Sequence, residues 1–119
     1  MHVNKSDITQ LAAMFKALGD PTRLRIFEFL RSCSEAVEVG ETGEVRHTRG
    51  PTAGQVCCCI TGSERINSTI SHHLKELRLA GLICVERRGK HMICSANQEA
   101  VALLADYLRG AGDRPCCRE

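Results

Sequence analysis

The stretch STISHHLKELRLAGLICVERRGK, residues 68–90, changes its hydrophobic period half-way along, and that change decides the fold. Its first half is helical. On a helical wheel Ile70, Leu74 and Leu77 share one side, while Ser68, His72 and Lys75 share the opposite one. Asn67 can cap such a helix by accepting from its free N–H groups, and Gly81 suits the left-handed turn just past Ala80. The second half alternates instead: LICVE (82–86) and HMICS (91–95) flank RRGK, which reads as a β-hairpin with a basic tip. One side of the helix packs, the other is presented, and the hairpin lies next in the chain.

Upstream, residues 6–18 place Ile8, Leu11, Ala12, Phe15 and Leu18 on one apolar stripe, a first helix stopped at Gly19. Asp20 is a natural N-cap with Pro21 at the first helical position, and Leu24, Phe27 and Leu30 form the buried face of a second helix ending at residues 32–34. The segment AVEVGETGEVRHTRGPTAG (36–54) has no helical period. Its runs AVEV and EVRHT flank GETG, which fits either a small hairpin with a four-residue turn or an irregular loop. Gln55 to Gly62 is a short helical piece carrying Cys57, Cys58 and Cys59. Gln98 to Arg109 is a last helix with Val101, Leu104 and Leu108 on one stripe, followed by a polar tail ending in PCCRE. The expectation is one domain over residues 1–119, mainly α (α+β): five helices and a β-hairpin, with an insert at about 34–54.

Two short helices followed by a basic hairpin suit duplex DNA mechanically, because a helix fits the major groove and a hairpin beside it reaches neighbouring phosphates or the minor groove. The architecture expected is therefore a winged helix-turn-helix. Ser68, Thr69, Ser71, His72 and Lys75 would contact phosphates and base edges, and Arg87, Arg88 and Lys90 at the wing tip would contact phosphates. Alone, a polar helix face or an RRGK turn is ordinarily just solvated; their adjacency favours DNA. His73 falls on the flank of the packed side and is expected to be structural.

Composition narrows the classes further. The net charge of +2 says little, but residues 65–91 hold six Lys/Arg against two acids, whereas residues 34–45 hold four glutamates and no basic residue. Those glutamates would repel phosphates, so the insert is not expected to bind DNA. With no Trp and one Tyr, single-strand recognition by base stacking has few residues to use. No apolar run reaches the roughly 18 residues of a membrane span, and MHVNKSDITQ has neither the basic nor the apolar region of a leader, so a cytosolic protein is expected. Eight cysteines in a reducing compartment point to metal ligation or redox chemistry rather than to a disulfide scaffold.

LGDPTRLRIFEFL (18–30) together with STISHHLKELRLAGLICVERRGK (68–90) resembles the ArsR/SmtB family of metal- and metalloid-responsive repressors, with S-x-H-L at Ser71, His73 and Leu74. The resemblance spans most of the chain apart from residues 34–54 and the tail. It implies a homodimer whose first and last helices form the interface, bound to palindromic double-stranded operator DNA with its recognition helices roughly one DNA turn apart. It also implies release of the DNA when an inducer binds, with no obligatory cofactor.

In arsenic repressors of this family a run like E-L-C-V-C-D-L-C lies just before the recognition helix. Aligned through S-x-H-L, Cys57 matches its second cysteine, but Gln55 and Ile60 stand at the first and third, and Cys58 and Cys59 are additional. Consecutive helical residues point about 100° apart, so three adjacent cysteines in a regular helix cannot converge on one atom. Either the segment is not helical or a ligand comes from elsewhere. Cys116 and Cys117 are the obvious supplement, since some family members bind arsenicals through a Cys-Cys pair beyond the last helix; Cys94, at the end of the wing strand, is another. An all-thiolate set favours As(III), Sb(III), Hg(II), Cd(II) or Cu(I) over hard cations, and trivalent arsenic is the first expectation. Cys33 and Cys84 are expected to be small core residues. A zinc site on the last helix would need more than Asp106, because ALLADYLRG contains no histidine.

The leading reading is a repressor released from DNA by trivalent arsenic. Alternatives are the same fold sensing Hg(II), Cd(II) or Cu(I), the same fold as a thiol redox switch, and remotely a thiol oxidoreductase. The last lacks both a C-x-x-C motif and a phosphate-cradling glycine loop around a cysteine, so no enzyme is expected.

Overall fold

The structure is a computed structural model that describes residues 5–33, 36–39, 45–48, 50–63 and 65–110. It is a winged helix-turn-helix: five helices with an antiparallel hairpin as the wing, and a second, smaller hairpin inserted after the second helix. The elements are α1 (Lys5–Leu18), α2 (Pro21–Ser32), β1 (Ala36–Val39), β2 (Val45–Thr48), α3 (Ala53–Thr61), α4 (Ser68–Leu79), β3 (Ile83–Arg88), β4 (His91–Ala96) and α5 (Gln98–Arg109).

Local chemistry fixes the helix ends. Asp20 caps α2 by accepting from the Arg23 N–H at 3.0 Å, with Pro21 opening the helix as expected. Thr52 and Gln55 form a reciprocal capping box at the start of α3, and Gly62 closes that helix at φ 82. Asn67 caps α4 through Ile70 N–H at 2.8 Å, and Gly81 follows its end at φ 80. Asn97 caps α5 while its side-chain amide donates to the Gly81 carbonyl at 2.8 Å, tying the end of α4 to the start of α5.

α2 lies against α1, α3, α4 and β4, so the core gathers around it. Met14, Ile26, Leu30, Val56, Ile70, Leu77 and Leu82 are among its fully enclosed side chains. On α4 the buried set is Ile70, Leu74 and Leu77, as the sequence predicts. The buried face expected on α2 holds at Phe27 and Leu30 and fails at Leu24, and the stripes read on α1 and α5 divide between core and surface. On α1 the core takes Leu11, Met14 and Ala17, leaving Ile8, Ala12 and Phe15 exposed; on α2 it takes Ile26 with Phe27 and Leu30, leaving Leu24 exposed; on α5 it takes Ala100 and Leu104, leaving Leu108 at 69% exposure. Each of these helices carries apolar residues around more than one face, so periodicity alone does not say which face the core selects.

The inserted hairpin pairs Ala36 with Thr48 through Val39 with Val45, realising the two strands read from AVEV and EVRHT. The GETG turn expected between them lies outside the described residues. The wing pairs Ile83 with Ala96 through Arg88 with His91, so its strands run further than expected and the turn is Gly89-Lys90 rather than four residues. Gly89 at φ 60 followed by a residue without positive φ is the pattern of a type II′ turn, which matches the twist of the strands it joins. The outer edge of β4 is covered by the chain entering α3: the Cys94 N–H donates to the Pro51 carbonyl at 2.8 Å, and Thr52 bridges Ile93.

That edge pairing brings Gly50, at φ 97, so close that an added Cβ would lie 2.6 Å from the Cys94 carbonyl oxygen. Gly62 also has positive φ, but nothing lies within 4 Å of its missing Cβ. Gly62→Ala should therefore cost only backbone strain, about 1 kcal/mol. Gly50→Ala adds a clash with backbone and should cost roughly 2–4 kcal/mol. Thermal or urea unfolding of the two variants checks the order; equal costs would show that the edge pairing is not tight.

Candidate nucleic-acid interface

α3, the turn through residues 62–67 and α4 form the helix-turn-helix, with the wing following α4. Ser68, Thr69, Ser71, His72 and Lys75 are all exposed along α4, opposite its buried side. Arg87, Arg88 and Lys90 are exposed at the far end of the wing. Strand alternation puts Arg87 on the face of Val85 and Ile83, and Arg88 on the other. Arg88 lies 3.6 Å from Glu86, and Arg87 donates through Nε to the Gly89 carbonyl at 3.2 Å, which steadies the wing tip. Exposed surface pairs of this kind add little stability.

Sequence reasoning passed over Arg78. It is exposed one turn beyond Lys75, and among the described residues neither side chain has a carboxylate within 4.0 Å. The i, i+3 spacing from Lys75 was the available signal. His72 has Glu76 at 3.9 Å on its own helix.

His73 is structural, as expected. Its Nδ1 lies 3.3 Å from the Arg23 guanidinium and its Nε2 lies 4.0 Å from the Asp20 carboxylate. Arg23 also donates through Nε to the Ala17 carbonyl at 2.7 Å. These contacts join the end of α1, the start of α2 and the middle of α4. The Arg23 backbone N–H, which outweighs the opposing desolvation, holds the Asp20 carboxyl below its ordinary value of 3.8, with lesser contributions from the nearby His73 and Arg23 charges.

The cysteines separate by position. α3 is a regular helix, so its three adjacent thiols diverge: Cys57 is fully buried, and Cys58 and Cys59 are exposed. The Cys57 thiol donates to the Arg65 carbonyl at 3.1 Å and lies 3.6 Å from Thr61 Oγ1, while Thr61 donates to the Cys57 carbonyl at 2.8 Å. Cys57 is thus a strut between α3 and the turn leading into α4. Cys94 is buried, and desolvation pushes its thiol up to about 11, keeping it protonated. Cys84 corrects the expectation of a core residue: it is exposed, because alternation turns it away from the face of Ile83 and Val85. Cys33 is only partly buried. Cys116 and Cys117 lie outside the described residues. Among the described residues no three Cys, His, Asp or Glu side chains come together as a metal site.

A helix-turn-helix domain family matches residues 18–86 of the chain. Over 96 residues the chain is 33% identical to the uncharacterized HTH-type transcriptional regulator YbzH of Bacillus subtilis, spanning 81% of this chain and 92% of that one. The chain belongs to the helix-turn-helix transcriptional regulators. Its fold is shared with the crystal structure of an ArsR family transcriptional regulator at TM-score 0.65 and 18% identity, covering 97% of this regulator and 100% of that chain. It is likewise similar to the structure of a possible transcriptional regulator for arsenical resistance, at TM-score 0.55 and 22% identity over 80% of this regulator and 79% of that chain. No helix among the described residues is long and apolar enough to cross a membrane.

The lowered Asp20 value gives this regulator a pH signature. A depressed carboxyl contributes stability that is fully present above its unfolded value, near 3.8, and is lost as pH falls through the lower folded value. Asn at position 20 still caps the helix but carries no charge. Asp20→Asn should therefore be less stable than wild type above about pH 4, with the two denaturation midpoints converging as pH drops below that. A gap that is unchanged or wider at low pH would remove the charge from the account.

Proposed function

We propose that this regulator is an ArsR-type repressor that binds palindromic operator DNA as a homodimer and is released by a thiophilic ion, with trivalent arsenic first among the candidates. The observation that carries the DNA half is the polar outer side of α4, on which Glu76 beside His72 is the one acid, standing beside the basic wing, with Asp20, Arg23 and His73 holding α4 from behind. Ser68, Thr69, Ser71, His72 and Lys75 would read and grip the major groove, and Arg87, Arg88 and Lys90 the flanking phosphates. Arg78 extends that grip. The homodimer is supported by exposed apolar side chains on the first and last helices: Ile8 at 47%, Phe15 and Tyr107 at 41% each with their rings 6.1 Å apart, and Leu108 at 69%.

For the inducer, Cys58 and Cys59 offer two exposed thiols, and Cys116 or Cys117 would have to supply the third sulfur. The buried, protonated Cys94 is poorly placed to ligate without local opening. Cys57 supplies a coupling. Any rearrangement of α3 that withdraws its thiol leaves the Arg65 carbonyl without its donor, just before the helix that reads DNA. The inducer must bind the free form more tightly than the DNA-bound one by the factor by which it weakens DNA binding. A redox switch is the second reading, favoured by the exposure of Cys58, Cys59 and Cys84.

Fluorescence anisotropy of the reduced, full-length chain on its own promoter DNA tests both halves. Lys75→Ala should weaken binding and lower the slope of log affinity against log salt by about one per protomer. Arsenite should release wild type but neither the Cys58→Ser/Cys59→Ser nor the Cys116→Ser/Cys117→Ser variant. Release of both variants would exclude these thiols, and release by peroxide alone would establish the redox switch. Absence of DNA binding under any condition would overturn the repressor reading.

A further inference from the structure

A groove of about 210 Å³ opens between α4, the wing and the start of α3. Leu74, Val85 and Cys94 line its apolar depth, and Met92, 41% exposed, forms one wall. Lys75 and Arg78 stand in its lining as well, and among the described residues neither has an acidic partner. An apolar depression bordered by two uncompensated cations suits a ligand with one apolar end and one anionic end.

We propose that this groove binds a small aromatic carboxylate, and that the bound ligand and DNA exclude one another. The volume falls below the roughly 300–1,000 Å³ of sites for drug-sized ligands, which limits the apolar end to a single ring. A ring can lie against Leu74 and Val85 with the Met92 thioether at its edge, a contact that sulfur favours. The carboxylate is then received by the Arg78 guanidinium, whose paired N–H groups match its two oxygens, with Lys75 adding a second charge. A long acyl chain suits the site less well. The neighbouring hollow of about 540 Å³, where such a chain would continue, shares Ala53, Ile66 and Met92 with the groove but has Thr52, Gln55, Lys90 and His91 in the rest of its lining.

Exclusion follows from position. Lys75 and Ser71 line the groove and also belong to the outer side of α4 assigned to DNA. A carboxylate on Lys75 and Arg78 neutralises charge that would meet phosphates and places a negative group where DNA must approach. This second half of the proposal rests on the DNA-binding reading; the ligand site itself does not.

The test begins without DNA. Isotope-labelled full-length protein is titrated with benzoate, with acetate as the ringless anion and benzyl alcohol as the uncharged ring, while backbone amide shifts are followed. Benzoate should give saturable shifts at Ile66, Val85 and Met92, at least 10-fold tighter than either control. Arg78→Gln should weaken benzoate at least 10-fold, and so should Ile66→Trp, which fills the groove from a residue that is 45% exposed and so should tolerate the larger side chain. The amide spectrum of each variant establishes that it is folded. Unsaturable shifts scattered over surface lysines, equal response to acetate, or no shift at all would each overturn the site. In the anisotropy assay, benzoate at ten times its dissociation constant should weaken operator binding about 11-fold per protomer by mass action, and so about 120-fold for a dimer that needs both grooves free. Benzoate binding with unchanged operator affinity would overturn the exclusion alone. A protein that binds benzoate in the groove but binds no DNA would leave the site standing and remove the repressor reading.

Discussion

Ile70, Leu74 and Leu77 fix the azimuth of α4, and with it everything the helix presents to solvent. Rotating α4 by one residue would swing Leu77, now fully enclosed, out of the core and carry a polar neighbour in. Burying a leucine contributes about 1.5–3 kcal/mol and enclosing an unpartnered polar group costs a similar amount, so the orientation is strongly determined. The polar contacts then set the pitch of the helix on that apolar seat. Asp20, Arg23 and His73 hold its middle to the α1–α2 corner, Cys57 holds the turn before it, and Asn97 holds the chain after it. A recognition helix tied at its start, middle and end can serve as a rigid reader, because a small tilt would displace several base contacts together.

The same logic explains which parts of the fold were legible in the sequence. α4 and the wing were readable residue by residue because each has one buried face and one solvated face, so its period is clean. α1, α2 and α5 were found with accurate limits, and Phe27 and Leu30 were placed in the core correctly, but Leu24 was not, and the stripes on α1 and α5 did not say which of their residues the core takes. Ile8, Phe15, Leu24 and Leu108 satisfy a helical stripe as well as Met14, Ile26 and Ala100 do, and a helix with two apolar faces gives no internal sign of which one meets its own core. The exposed α1 and α5 residues are what a second surface would look like from sequence alone. Cys84 was misread for a simpler reason. It sits between two inward-facing apolar residues, and strand alternation sends it outward whatever its hydrophobicity.

The candidate sites divide along a similar line. The exposure of the residues proposed to face DNA was legible because exposure and charge pattern are properties of single elements. Thiol convergence depends on tertiary placement, and only its negative half could be read in advance: a regular α3 cannot aim Cys57, Cys58 and Cys59 at one point. The structure supplies the missing physical distinction. Cys57 is held as a hydrogen-bond donor inside the core and Cys94 is kept protonated by burial, whereas Cys58 and Cys59 face solvent. Four cysteines of one chemical type therefore do three different things.

Under the proposed induction by a thiophilic ion, those differences bear on how a signal at α3 would reach DNA. Ligation of exposed Cys58 and Cys59 would leave the recognition helix undisturbed if α3 were joined to it by a slack loop. It is not slack: Gly62 closes α3 through the Cys58 carbonyl at 2.8 Å, and the neighbouring Cys57 thiol grips Arg65 two residues before the Asn67 cap. Reorienting Cys58 to meet a third sulfur therefore pulls on the helix-closing bond at the same residue. The thiol next to it carries the strain to the start of α4. Thus the exposed thiols proposed to meet an ion sit beside the one whose hydrogen bond holds the turn into α4, and in the proposed sensor proximity in the chain would take the place of a long coupling path.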